Sequence, residues 1–171
     1  MSLRLIGLSC VVLSCSGGCS ESAEPSVSSA VDCSELALRI QGLEQGLFSA
    51  EDDLSPNQKI RGQLMAEYAA FSNHCHDNSQ TAEMLFRRAD LLRSAGRFQE
   101  AMTQLRDIHD YFPEYEKRAI CAFLVGFIAE VELNDREQAK KTYEQVIALH
   151  DSTDAAEWSR QSLANLQGLQ Q

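Results

Sequence analysis

Residues 94–113 read SAGRFQEAMTQLRDIHDYFP. Ala95-Gly96-Arg97 reads as a tight turn, and Phe98, Ala101, Leu105, Ile108 and Phe112 follow at offsets of 3, 4, 3 and 4. That is the period of a helix with one apolar stripe. Pro113 ends the run, because proline has no N–H to donate and pushes the preceding residue out of the helical region. Upstream, Leu85, Ala89 and Leu92 make a second stripe that stops short of Gly96, a residue suited to the left-handed conformation that closes helices. The stretch predicts one antiparallel helical hairpin.

The same phrase returns downstream in LNDREQAKKTYEQVIALHD, residues 133–151. Asn134 stands against Gly96, Ala139 against Ala101, Tyr143 against Leu105 and Val146 against Ile108, each pair 38 residues apart. A hairpin repeating at this spacing is the signature of a helical solenoid. The unit resembles a tetratricopeptide repeat (TPR), whose small, turn, aromatic, alanine, large apolar and proline positions match Ala89, Gly96, Phe98, Ala101, Leu105 and Pro113. The clear units span residues 82–113 and 120–151. In the second, Asn134, Arg136 and Asp151 replace the family's glycine, aromatic and proline; Asn tolerates the left-handed turn conformation. Six residues, Glu114–Ala119, separate the units and read as a longer first helix in unit two, covering roughly residues 116–132.

Around these units the chain continues in helices. The first starts at Asp32, with Glu35 three residues on as a capping box, and carries Leu36, Ile40, Leu43 and Leu47 on one stripe. A polar loop over residues 49–53 leads to Ser55-Pro56, which opens helix two; its stripe is Ile60, Leu64, Tyr68, Phe71 and Cys75. The fifth helix is apolar almost all round, as for a central helix buried on more than one side. Asp154 and Glu157 read as a capping box for a seventh helix, whose Trp158, Leu163 and Leu166 cover the last repeat behind a polar back. No stretch reads as a β-strand. The predicted fold class is all-α: a right-handed superhelix of about three antiparallel hairpins plus a C-terminal capping helix, over residues 32–171.

The N-terminus reads as an address. Residues 1–14 hold one basic residue, Arg4, and the apolar run Leu5–Leu13, a secretory signal too short to span a bilayer. Val12-Leu13-Ser14-Cys15 resembles a bacterial lipobox, which makes Cys15 the lipidated first residue, with Cys19 as the rival acceptor. Residues 15–31, rich in Ser and Gly, cannot build a core and read as a flexible tether. A lipid tail then anchors the chain without a spanning segment. Removing residues 1–14 deletes only Arg4, leaving 14 Lys and Arg against 25 Asp and Glu, a net charge of −11. Such an acidic domain is a poor match for nucleic acid or anionic headgroups.

Cys33 starts helix one and Cys75 ends helix two. In an antiparallel hairpin those ends are neighbours, so a disulfide lies within reach and would persist in the oxidising periplasm; the alternative is two free thiols. Cys121, on the apolar fifth helix, reads as a small core residue. His74-Cys75-His76-Asp77 lacks the converging, spaced ligands of a zinc site, so no metal and no cofactor are expected. No nucleophile elbow, P-loop or dinucleotide turn is present, and the expected class is not an enzyme.

By resemblance, a short TPR solenoid binds protein on the concave surface lined by the first helix of each hairpin. The family's groove positions fall on Phe86, Asp90, Arg93 and Ser94 in unit one, and on Leu124, Ile128, Val131 and Glu132 in unit two. The implied roles are stacking for Phe86 and pairing with peptide charges for Asp90 and Arg93. Residues 81–168 resemble exported bacterial TPR proteins, including the TPR domain of the Tol–Pal coordinator and, more distantly, the TPR lipoprotein of the outer-membrane barrel-assembly machine. The implied function is a membrane-anchored, periplasm-facing adaptor of the cell envelope, in the outer membrane or else soluble in the periplasm. The alternatives are a structural, self-associating lipoprotein and an accessory subunit of an envelope assembly or secretion complex.

Overall fold

A computed structural model of the chain describes residues 31–49 and 54–168. The expected signal, Cys15 and Cys19, nearly all of the tether and residues 50–53 lie outside them. The described residues form seven helices and no strand: α1 (Cys33–Ser49), α2 (Leu54–His74), α3 (Thr81–Ser94), α4 (Phe98–Tyr111), α5 (Arg118–Phe127), α6 (Arg136–Leu149) and α7 (Asp154–Gly168). A π-helical turn, Ile128–Glu132, extends α5. Each helix packs on its successor, and α5 also reaches α7. This is the packing of a TPR-like solenoid, three hairpins and a cap.

The turn chemistry follows from the residues at the hairpin tips. Gly96 sits at φ 74° and Asn134 at φ 53°, so both turns use the left-handed region that these two residue types tolerate best. Asp135 caps α6, its side chain accepting from the Gln138 N–H at 2.9 Å. At α1, Asp32 Oδ1 accepts from Ser34 N at 2.8 Å, while Glu35 turns outward to Arg39. The cap of α7 is Thr153, whose Oγ1 accepts from Ala156 N at 3.3 Å, one residue ahead of the expected Asp154.

Two apolar clusters hold the layers. Leu36, Ile40, Leu64, Tyr68, Phe71, Cys75 and Met84 close the N-terminal hairpin against α3. Ala89, Leu92, Ala101, Leu105, Ile108, Cys121, Val125, Ile128 and Tyr143 belong to the second, which runs through both repeats. Burying each large side chain contributes about 1.5–3 kcal/mol. Cys121 is fully buried, and burial pushes its thiol up to about 12, so it is held as an inert apolar group. The inner face of α7 is Ala155, Ala156, Ser159 and Leu166, with Leu163 packed against the same core, while Trp158 meets Phe123 from the rim and stays 41% exposed.

The fifth helix differs from expectation at both ends. It begins at Arg118, because residues 112–118 fold into consecutive turns, with Tyr115 N donating to Phe112 O and Arg118 N to Tyr115 O. At its far end Leu133 N donates to Ile128 O, five residues back, at 3.1 Å. A five-residue step accommodates one residue more than an α-turn does. Ahead of it the repeats are 37 residues apart: buried Met84, Ala89 and Leu92 correspond to buried Cys121, Gly126 and Ala129. Beyond it the spacing is 38, as read from the turn and second helix. Gly126 is the point of closest approach, where an added Cβ would lie 2.7 Å from Tyr143 Cε1. The repeat with the larger Tyr143 in place of Leu105 has lost the methyl group that Ala89 keeps.

Cys33 and Cys75 are disulfide-bonded, with their Cα atoms 5.9 Å apart and a sequence separation of 42. The bond ties the start of α1 to the residue after α2. Among the described residues no helix is long and apolar enough to cross a membrane.

Candidate functional site

The face of α3 turned away from its core stripe carries Glu83, Phe86, Arg87 and Asp90. Facing them across a cleft of about 470 Å³ are Glu44 and Leu47 of α1, with Leu64 and Tyr68 of α2 at its base. A chain of polar contacts lines this cleft. Tyr68 donates to Glu44 Oε1 at 2.5 Å, and Arg87 donates to the same oxygen at 2.6 Å and to Glu83 Oε1 at 3.0 Å. Glu83 Oε2 accepts from Tyr115 at 2.6 Å and from Lys117 at 2.7 Å.

The network fixes its own charges. Burial opposes ionisation of Glu83, but the hydrogen bonds from Lys117, Tyr115 and Arg87 outweigh it and hold the carboxyl at about 2. Burial and the Glu44 carboxylate push the Tyr68 phenol up, and burial with Glu83 does the same to Tyr115. The hydrogen bond to Glu44 raises Arg87 despite its burial. Glu83 and Arg87 therefore stay charged near neutral pH, and the hydrogen bonds they make with Glu44 and Lys117 keep the cleft walls in one arrangement.

The expected groove residues divide. Phe86 is half-buried, its ring 6.3 Å from that of Tyr115 and under the Lys117 ammonium at 5.1 Å. Arg93 bridges Asp90 at 3.3 Å and Glu132 at 3.4 Å, so it links the two repeats while the Asp90 side chain stays 65% exposed. Ser94 accepts from Arg61 at 3.2 Å and donates to Leu91 O at 2.9 Å, which makes it part of the α2–α3 seam. In unit two, Ile128 is fully buried and cannot meet a partner. The extra residue of the π-helical turn is the reason: positions transferred at a spacing of 38 fall one residue late ahead of it. The counterparts of Phe86 and Asp90 at the true spacing are Phe123 and Phe127. Leu124 is half-buried against the core, the counterpart of Arg87 on the open side.

Phe123 stacks on Tyr143 with centroids 5.7 Å apart, meets Phe127 at 6.2 Å and meets the Trp158 edge at 5.4 Å. Tyr143 donates to Glu130 at 2.7 Å. Val131, thrust out at the π-helical turn, is 57% exposed.

Two other clusters resolve otherwise. Cys75 is spent in the disulfide, and His76 pairs with Asp77 at 3.0 Å; among the described residues no group of three or more His, Cys, Asp or Glu is arranged to hold a metal. His109 and His150, read from sequence only as helix ends, meet with Nε2 atoms 3.0 Å apart, while His109 Nδ1 lies 2.7 Å from Asp110 Oδ1. Their ring centroids are 5.2 Å apart, close to the separation of two rings pointing nitrogen to nitrogen. One proton shared between the Nε2 atoms satisfies that geometry. Nothing in a spacing of 41 residues announces it.

Consecutive antiparallel helix hairpins, each helix packed on its successor, define a helical-repeat scaffold. The family model for the tetratricopeptide repeat matches the chain twice, at residues 83–115 and 122–153, so these two segments are tetratricopeptide repeats. Such repeats mediate protein–protein interaction and are typically non-catalytic scaffolds. No curated protein matches the chain.

Proposed function

We propose that the protein is an adaptor of the bacterial cell envelope, lipid-anchored at Cys15 or Cys19 in the outer membrane and facing the periplasm. It binds a protein partner on the open face of α1, α3 and α5. The observation that carries the binding role is the cleft between α1 and α3. Its walls are pre-organised by the Glu44–Arg87–Glu83–Lys117 network, and its lining mixes apolar Leu47, Phe86 and Leu91 with charged Arg87 and Asp90. Pre-organised sites lose less conformational entropy on binding. The compartment is supported by the lipobox-like Val12–Cys15, by the Ser- and Gly-rich stretch after it, and by a disulfide of the kind that persists in oxidising surroundings.

The test is affinity capture from detergent-solubilised envelopes with the native lipidated chain and with Arg93→Glu. The substitution leaves Asp90 and Glu132 without their shared cation. One dominant envelope partner, lost with Arg93→Glu while helicity is unchanged, is the expected result. An identical set of captured proteins from both forms contradicts the groove.

A further inference from the structure

The open face of the second repeat has a chemistry opposite to that of the first. At equivalent positions Glu83, Phe86, Arg87, Asp90 and Ser94 of α3 are replaced by Ile120, Phe123, Leu124, Phe127 and Val131. None of the α5 set is fully buried, and Val131 at 57% and Trp158 at 41% exposed are large apolar residues left in water. Trp158 extends the strip onto α7 through its contact with Phe123, and Phe127 continues it toward the π-helical turn. Aromatic side chains beside a groove supply much of the binding energy where such faces are used. Next to Val131 the strip ends in charge: Asp90 and Glu132 share the single guanidinium of Arg93, an excess of one carboxylate.

We propose that Leu124, Phe127, Val131 and Trp158 dock an apolar segment of a partner protein that carries a lysine or arginine beside its apolar side chains. The inference rests on the groove reading above and adds the chemistry of the occupant. The apolar side chains lie along α5 toward Trp158, and the cation lies at the Asp90–Glu132 end, where it completes the charge. A second copy of the chain is a poor occupant, because each copy carries a net charge of −10 and like charges oppose close approach.

Trp158 is the single tryptophan of the chain, so its emission reports occupancy of the strip directly. The probes are a short peptide of leucine, phenylalanine and lysine, its counterpart with glutamate for every lysine, and its counterpart with serine for every apolar residue. Added to the folded full chain, the first peptide shifts Trp158 emission to shorter wavelength and saturates, and both counterparts bind at least about tenfold more weakly. Val131→Lys, at an exposed position that does not endanger folding, weakens the first peptide by at least about tenfold. Leu149→Lys, an equally exposed apolar position on α6, leaves binding unchanged and controls for attraction to the acidic surface. An emission that does not respond, equal binding of the glutamate peptide, or indifference to Val131→Lys overturns the proposal. If the envelope partner is still lost with Arg93→Glu but kept with Val131→Lys, the groove reading stands and this one falls.

Discussion

The two repeats share a skeleton and differ in what they do with it. Their second helices share three core positions at a spacing of 38, with Ala101 and Ala139, Leu105 and Tyr143, and Ile108 and Val146 all buried. Their first helices run at a spacing of 37 up to the π-helical turn, and their open faces diverge from charged to apolar. The difference teaches that the core positions of a solenoid constrain one side of each helix and leave the other free to acquire a binding chemistry. The N-terminal hairpin is the outside reference. It lacks the repeat phrase, and it holds a disulfide together with its own apolar cluster.

That reference is where the largest effect is expected. Replacing both Cys33 and Cys75 by serine removes a cross-link closing a long loop, a loss of about 2–4 kcal/mol in the chain-entropy view. Hydrogen exchange then reports α1 opening before α4 to α6; equal protection throughout would show that the hairpin stands as firmly as the repeats. Next, Gly126→Ala forces a methyl group into Tyr143, whose ring is fixed by Phe123 and Glu130, and costs about 1–3 kcal/mol. In a Tyr143→Leu background, which restores the pairing of Ala89 with Leu105, the same substitution is neutral or stabilising. A double-mutant cycle by urea unfolding measures that coupling, and additive costs would break the proposed correspondence between the repeats.

The turns come third. Gly96→Ala costs about 1–2 kcal/mol, because its φ of 74° places a Cβ in the left-handed region. Asn134→Gly at the matching turn stays within a few tenths of a kcal/mol, about the difference between the two residues there. Thermal unfolding of both variants settles whether the turns are equivalent.

The smallest effect is that of pH on the histidine contact joining the ends of α4 and α6. Burial, then His109 and Arg118, lower the basicity of His150; Asp110 pairs with His109, and Arg118 donates to the His109 carbonyl. The unfolded chain therefore takes up a proton first, so stability falls as pH drops through about 6.5 and is intact above it. His150→Gln flattens that dependence, leaving the decline that Glu83 contributes as pH falls from 4.5 to about 2, where the unfolded chain takes up its proton before the folded one does. An unchanged slope between pH about 7 and 5 would show that the shared proton has no bearing on stability.

The apolar period around Phe98–Phe112, the glycine turn and the repeat at 38 residues were enough to read the architecture, because each is local. Asn134 in the left-handed region was legible for the same reason. The π-helical turn was not: it adds one residue inside an all-apolar stretch, where no break in pattern marks it. That single residue moved the open face from Ile128 to Phe127 and buried the expected contact. The Glu44–Arg87–Glu83–Lys117 network and the His109–His150 contact join residues far apart in sequence, and solvated charges at helical spacing look alike whether or not they meet.

The most direct test of the central claim, that the open face of the first helices receives the partner, is photocrosslinking in native membranes. The probe is placed in turn at Asp90, Val131 and Leu149, and adducts are identified by mass spectrometry. The account predicts the same envelope protein from Asp90 and Val131 and none from Leu149. Equal adducts from Leu149, or only self-adducts from all three positions, would contradict it.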